Sequence, residues 1–139
     1  MFLSRLVYYS HATAIGDADV TDILTKSHAN NYLLNITGAL FYNGRWFVQV
    51  LEGGRNAVSE MFVRIGRDTR HRDVNLLEFT RIDERSFPEW SMRYIGGGVE
   101  PEAVIRRYMP AEFDPSLIAD GVVATRLLRD LVTVTPAGE

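Results

Sequence analysis

The sequence contains no cysteine. Disulfides, thiolate nucleophiles and cysteine-based zinc or iron–sulfur sites are thereby excluded, which accords with a reducing compartment. Lysine is nearly absent as well: Lys26 and 14 arginines face 18 acidic residues, for a net charge of −3. With that balance no basic footprint for nucleic acid is present, and no nucleic-acid partner is expected. No apolar run approaches the roughly 20 residues of a membrane span, and the opening "MFLSRLVYYSHATAIGDADV" has no uninterrupted apolar core of the kind a signal peptide carries. A cytoplasmic protein with no membrane association is the expectation.

Catalytic machinery is equally scarce. The three histidines, His11, His28 and His71, fall on separate segments, and no cluster of His, Asp and Glu has metal-ligand spacing. No Gly-x-Ser-x-Gly elbow occurs, "GGRNAV" lacks the Gly-Lys-Ser/Thr of a phosphate loop, and no pair of inward carboxylates can be located. The chain does not read as an enzyme.

What is there is the pattern of a folded domain: 46% hydrophobic and 24% charged residues over 139 positions. "FLSRLVYY" (2–9) predicts a first strand with Phe2, Leu6 and Tyr8 on one face, followed by a loop from Ser10 to Gly16. From Asp17, with Asp17 or Asp19 as cap, Val20, Ile23, Leu24, Ser27 and Asn31 recur at helical spacing, so the inward stripe turns polar at its C-terminal end. "ITGALFYNGRWFVQVLEGG" predicts two strands joined by a tight type I′ turn at Asn43-Gly44. A second helix over 56–67 shows Val58, Met61, Phe62 and Ile65 inward. The polar loop "RDTRHRD", the strand "VNLLEFTRI", a turn at Pro88 and a short strand "WSMRYI" follow. Two more helices are expected near 102–109 and 115–132, and order is expected to fade at "TPAGE".

The order βαββαββ predicts an α+β, ferredoxin-like sandwich: a mixed five-stranded sheet with two helices on one face, plus C-terminal helices. The expected division is residues 1–97 for the sandwich and 98–139 for a helical extension lying on the sheet or at an oligomer interface. In such a fold the first and third strands are adjacent and central. Tyr8 and Gln49 then share a face beneath the polar end of the first helix, where Ser27 and Asn31 lie. A buried amide without partners costs about 1–3 kcal/mol, so Gln49 requires a hydrogen-bond partner. Phenol and amide groups around one cavity suit a flat heterocycle with alternating donors and acceptors better than bond-breaking chemistry. Ordinary core polar residues that satisfy one another would give the same pattern, and spacing alone does not separate the two.

Several segments together bring in a family. "LVYYS", "SHANNYLLNITGALFY", "FVQVLEG", "RDTRHRDV" and "TRIDERSFPEWSM" stand in the order and at the separations found in BLUF domains, the blue-light sensors using flavin, so that residues 3 to about 95 resemble that family. The resemblance implies a non-covalently bound flavin, FAD with FMN as the alternative, held between the two helices over the sheet. It implies Tyr8 as the photoactive tyrosine, two before Ser10, with Tyr9 facing away. It further implies Gln49 as the switching glutamine, Asn31 with neighbouring Asn30 as flavin anchors, and Ser27 near the ring. Trp90 and Met92 match the pair that responds to the glutamine, and Arg70 and His71 lie toward the ribityl and phosphate end. The implied function is a blue-light photoreceptor of the short type that signals through protein contacts, because 139 residues hold no cyclase or phosphodiesterase beside the sensor. Its expected partners are a second copy of itself or a separate downstream protein, with the face of Leu117 to Val132 as the candidate surface. The alternatives are a ferredoxin-like regulatory domain that binds a small molecule without photochemistry and, more remotely, a small hydrolase of acylphosphatase type.

Overall fold

The computed structural model describes residues 2–96 and 101–135. The division expected at residue 97 and all but the first residue of "TPAGE" lie outside the described residues. Five strands form one mixed sheet in the order β4-β1-β3-β2-β5: β1 Leu3–Ala12, β2 Thr37–Tyr42, β3 Trp46–Gly54, β4 His71–Ile82 and β5 Arg93–Ile95. All neighbouring pairs are antiparallel except β2 and β5, which run parallel. The helices α1 (Asp17–Leu34) and α2 (Arg55–Gly66) connect the strands as expected, and α3 (Glu102–Ile105) and α4 (Gly121–Val134) follow the sheet. The α+β, ferredoxin-like sandwich is therefore the observed fold, with β1 and β3 in its centre.

Alternation along the strands divides the interior into two layers. Leu6, Tyr8, Leu40, Phe47, Leu51 and Met92 belong to the layer that Val58 and Met61 of α2 and the half-buried Ile23 and Leu24 of α1 close over. Val7, Ala39, Phe41, Val48 and Val50 face the other way, onto Leu127, Leu128 and Leu131 of α4. Those three leucines are fully buried, and burial of each is worth roughly 1.5–3 kcal/mol.

Besides β4 starting at His71, inside the expected loop "RDTRHRD", local structure departs from the sequence expectations at five places. First, β1 runs on through Ala12 rather than yielding to a loop at Ser10, because His11 is paired with both Trp46 of β3 and Arg72 of β4, and the Ala12 amide donates to the Arg45 carbonyl at 2.8 Å. Second, α1 is capped at Gly16, whose amide donates to the Asp19 carboxylate at 3.1 Å; Asp17 is inside the helix. Third, the β2–β3 turn is not type I′, which needs positive φ at both central residues; here Gly44 alone has positive φ. Asn43 instead precedes the bend, and its side-chain carbonyl accepts from the amides of Arg45 and Trp46 at 3.0 and 2.8 Å.

Fourth, the last strand spans only Arg93–Ile95, so Trp90 and Met92 precede it in an irregular segment anchored by the Gly38 amide donating to the Trp90 carbonyl at 3.2 Å. A side chain at Gly38 would run into the Val50 carbonyl, so that close approach of backbones needs glycine. Fifth, the C-terminal helices are shorter than their periodicity suggests. α3 is a single turn, and the segment from Pro115 is a 3₁₀ turn, Pro115–Leu117, separated from α4 by the Asp120 cap, whose side chain accepts from the Val123 amide. Leu117 and Val122 are consequently exposed, while the leucines of α4 cover the sheet. No helix among the described residues is long and apolar enough to cross a membrane.

Candidate functional site

Tyr8 and Gln49 are direct partners across the central β1–β3 pair, each with both neighbouring strands in place. The Tyr8 hydroxyl donates to Oε1 of Gln49 at 2.5 Å, and Nε2 of Gln49 donates to the Met92 sulfur at 3.4 Å. All three side chains are buried. The amide is thus held by a strong partner at its carbonyl end and a weak one at its NH₂ end, since a thioether is a poor acceptor. Burial pushes the Tyr8 hydroxyl well above the ordinary phenol pKa, and the negative charge of Asp68 adds to it. Tyr8 accordingly stays protonated, and its hydroxyl donates to the Gln49 carbonyl. Tyr9 points into the opposite layer and packs edge-on against Trp46, with ring centroids 6.1 Å apart.

Above this pair lies a cavity of about 430 Å³ between α1, α2 and the sheet. Its floor is Tyr8, Leu40, Phe47 and Gln49; Ile23, Ser27 and Asn30 of α1 form one wall, and Met61 and Ile65 of α2 the other. Six of the expected residues, Tyr8, Ser27, Asn30, Gln49, Arg70 and His71, line it. Asn31 stands just behind the α1 wall: its Nδ2 donates to the Ser91 carbonyl at 3.0 Å, whereas its Oδ1 is buried with no hydrogen-bond partner among the described residues. It is also the only fully buried residue of α1. A buried carbonyl left open in this way carries a desolvation cost that a donor on a bound molecule would remove.

His71 is fixed at both nitrogens. Nε2 lies 2.7 Å from the Ile65 carbonyl, which can only accept, so Nε2 carries the hydrogen; Nδ1 lies 2.6 Å from the Ser10 hydroxyl and accepts from it. Arg70 is spent on acids rather than free for a ligand: it reaches Asp68 at 2.7 Å and Asp22 at 2.9 Å. Beside Arg70, the Asp68 carboxyl is held below the usual carboxylate range. Sequence reasoning missed the other cations at the cavity, Lys26, Arg64 and Arg67. Lys26 and Arg64 pair within their own helices with Asp22 and Glu60, both more than half exposed on the basic side. Lys26 could have been found, as it follows the stripe residue Ile23 by about one turn of helix; nothing in the sequence marks Arg67.

Trp90 and Met92 part company. Met92 is buried in the cavity layer beside Gln49, while Trp90 packs half-buried against the layer beneath α4. No group of three or more His, Asp or Glu able to hold a metal ion occurs among the described residues.

The donor set fits a flavin: a cavity floored by a phenol and an amide, an open buried carbonyl behind its wall, and cations in its lining. Comparison with known proteins agrees. The chain is 30% identical to the photo-activated state of BlsA, with a TM-score of 0.86 over 99% of both chains. With the dark-state structure of BlrB, a BLUF protein, it shares 34% identity at a TM-score of 0.74 over 96% of this chain and 98% of the other. Among curated sequences it is 37% identical over 92 residues to photoactivated adenylate cyclase subunit beta of Euglena longa, but these cover 65% of this chain and 11% of that protein. The chain thus spans about a tenth of the curated relatives it matches first. Residues 3–93 match the family model described as sensors of blue-light using FAD, and the chain belongs to that family, BLUF.

Proposed function

We propose that this chain is a blue-light photoreceptor in which a non-covalently bound flavin, FAD by the family's description with FMN as the alternative, occupies the cavity over Tyr8 and Gln49. When bound, the flavin would supply the blue absorption and, once excited, an oxidant able to take an electron from a phenol. Tyr8 is the residue placed to give that electron. A phenol that has lost an electron becomes a strong acid, and its proton has a ready path along the 2.5 Å hydrogen bond to Gln49. Return of electron and proton to Tyr8 then finds the Gln49 amide with its donor and acceptor ends exchanged. Nothing is consumed, and the hydrogen bonds have been rewritten.

The observation that carries this reading is the asymmetry of the two contacts of Gln49. In the observed arrangement the phenol is satisfied and the sulfur loosely held. In the exchanged arrangement the amide NH₂ faces Tyr8 and the carbonyl faces a sulfur that cannot donate, so that arrangement is higher in energy by about one hydrogen bond, roughly 1–3 kcal/mol. A gap of that size permits two states and a spontaneous return. Asn31, Asn30 and Ser27 are assigned to hold the ring, His71 to orient its polar edge, and Lys26, Arg64 and Arg67 to face phosphate. Arg70 is assigned to shape the loop that leads into His71 at the start of β4, rather than to bind phosphate itself. Output through contacts with a second copy or a separate partner belongs to the same reading, and the effector-bearing relatives support it, among them a bacterial light-regulated adenylyl cyclase of which this chain covers 34%.

A light-minus-dark absorption spectrum of the purified protein tests the proposal. A yellow protein with a reversible red shift under blue light is the expected result. A protein that takes up no flavin on reconstitution would refute it, and flavin uptake without any light response would favour a non-photoactive binding domain of the same fold.

A further inference from the structure

Met92 and Arg93 are consecutive, and they serve opposite layers of the sheet. Met92 lies with Tyr8 and Leu51 in the cavity layer and accepts from Gln49. Arg93, paired with Ala39 in the β2–β5 register, turns toward the layer under α4, as Ala39 does. Its side chain is 4% exposed, a rare condition for arginine. Three contacts of the guanidinium bear on the two ends of this layer. One NH₂ donates to its neighbour's carbonyl, Tyr94, at 2.6 Å; the other donates to the Thr135 carbonyl at 2.9 Å; and the plane lies 5.7 Å from the Trp90 ring centroid.

Thr135 is the residue at which α4 ends. The last carbonyls of a helix have no partner within it, and a cation placed there satisfies one of them and complements the negative end of the helix dipole. No basic residue of α4 itself occupies its last turn. Arg93 therefore supplies from β5 a cap that α4 lacks in its own sequence. The backbone between Met92 and Arg93 is the point where a movement in the cavity layer becomes a movement in the other layer, since displacing one side chain of a strand tilts the next through the shared peptide plane.

We propose that Arg93 is the positioning residue that couples the Gln49–Met92 contact to the C-terminal end of α4, so that the exchange of Gln49 is read out as loosening of the last turn of that helix and of whatever follows it. The inference rests on the photoreceptor reading above, and it adds the exit route. Three features give it mechanical content: a weak Gln49–Met92 contact, a guanidinium that donates to β5 and lies over Trp90, and a donation to the Thr135 backbone carbonyl. Because Trp90 and Met92 flank Ser91, which α1 grips through Asn31 and His28, the segment is held on the cavity side as well and moves only as a unit.

Hydrogen–deuterium exchange on the flavin-bound full chain, in darkness and under steady blue light, tests this with the absorption recorded on the same sample. The amides of residues 131–135 are expected to exchange several-fold faster in light, while those of 121–125 at the other end of α4 stay unchanged. In Arg93→Gln the red shift should persist, the 131–135 amides should exchange in darkness at the wild-type lit rate, and light should add nothing. Arg93→Lys keeps the charge without the fork and should retain a reduced light response. A wild-type protein that shows the red shift without any change at 131–135 overturns the coupling and leaves the photoreceptor reading intact; so does a full light response in Arg93→Gln. Loss of the red shift in the wild type overturns both. Should Arg93→Gln fail to fold, the wild-type comparison of the two ends of α4 still decides.

Discussion

The two helices that close the two faces of the sheet are built on different terms. α4 has 14 residues and buries six of them, Gly121, Ala124, Thr125, Leu127, Leu128 and Leu131. α1 has 18 and buries one, Asn31. A helix gains its stability in a protein chiefly by burying an apolar face. α4 does so and stands on a dry core; α1 spans a cavity, with Ile23 and Leu24 half-buried at its rim. The same five strands serve both, because alternation lets Val7, Val48 and Val50 pack downward while Tyr8, Phe47 and Gln49 look up. One face holds the fold together, and the other is left unfinished for a ligand.

That contrast can be broken from either side. Leu128→Ala removes a fully buried side chain from the packed face and should cost about 2–5 kcal/mol in urea unfolding, with the flavin spectrum of the folded fraction unchanged. A loss under 1 kcal/mol would mean that α4 is not the supporting layer. On the cavity face, saturation with flavin at about 100-fold above Kd should add roughly 2.7 kcal/mol to the stability, and the gain should appear as slower amide exchange in α1 before anywhere else. Equal protection across both faces would erase the distinction.

Smaller in energy, and larger in consequence, are Tyr8→Phe and Gln49→Leu. Each leaves one buried polar atom unpaired and should destabilise by about 1–3 kcal/mol. Each should still bind flavin and lose the normal red shift, whereas Tyr9→Phe keeps it. Retention of the shift in both cavity variants would refute the roles assigned to them.

The smallest effect is expected at Glu52, buried on the α4 side, whose carboxylate accepts from the amides of Ser86 and Phe87 at 2.9–3.0 Å. Burial raises its pKa, against the opposing pull of those amides and of Arg5 and Arg85. A carboxyl whose folded value is raised contributes stability that is complete below the ordinary glutamate range and is lost as pH rises through the folded value. Glu52→Gln should flatten the stability profile across that acid window and change stability at neutral pH by no more than about 1 kcal/mol. An unaltered acid profile would show that Glu52 does not titrate on folding.

Much of this was legible in the chain. The βαββαββ order follows from periodicity, and the central placement of β1 and β3 put Tyr8 and Gln49 on one face, where the observed register makes them direct partners. The polar end of the α1 stripe pointed to Asn31. What escaped was decided by partners distant in sequence. β1 runs on to Ala12 because β3 and β4 both pair with it there, and the tail helix splits because Asp120 caps a new start that periodicity does not register. Arg70 looked like a free cation and is neutralised by Asp22, 48 residues away. Arg93 looked like an ordinary strand residue; its reach to Thr135, 42 residues on, is a tertiary fact.

The acceptor beneath Gln49 is a sulfur, and its weakness has a consequence for time. On the proposed reading the exchanged amide returns by thermal chance, so the barrier out of the exchanged arrangement fixes how long the protein remembers a flash. A stronger acceptor at position 92 would repel the exchanged carbonyl, lower that barrier and shorten the memory; a side chain that accepts nothing would lengthen it. Met92 is in that sense the escapement of a molecular clock, and a lineage could retune its response from brief pulses to slow dusk by changing one side chain while leaving the detector untouched.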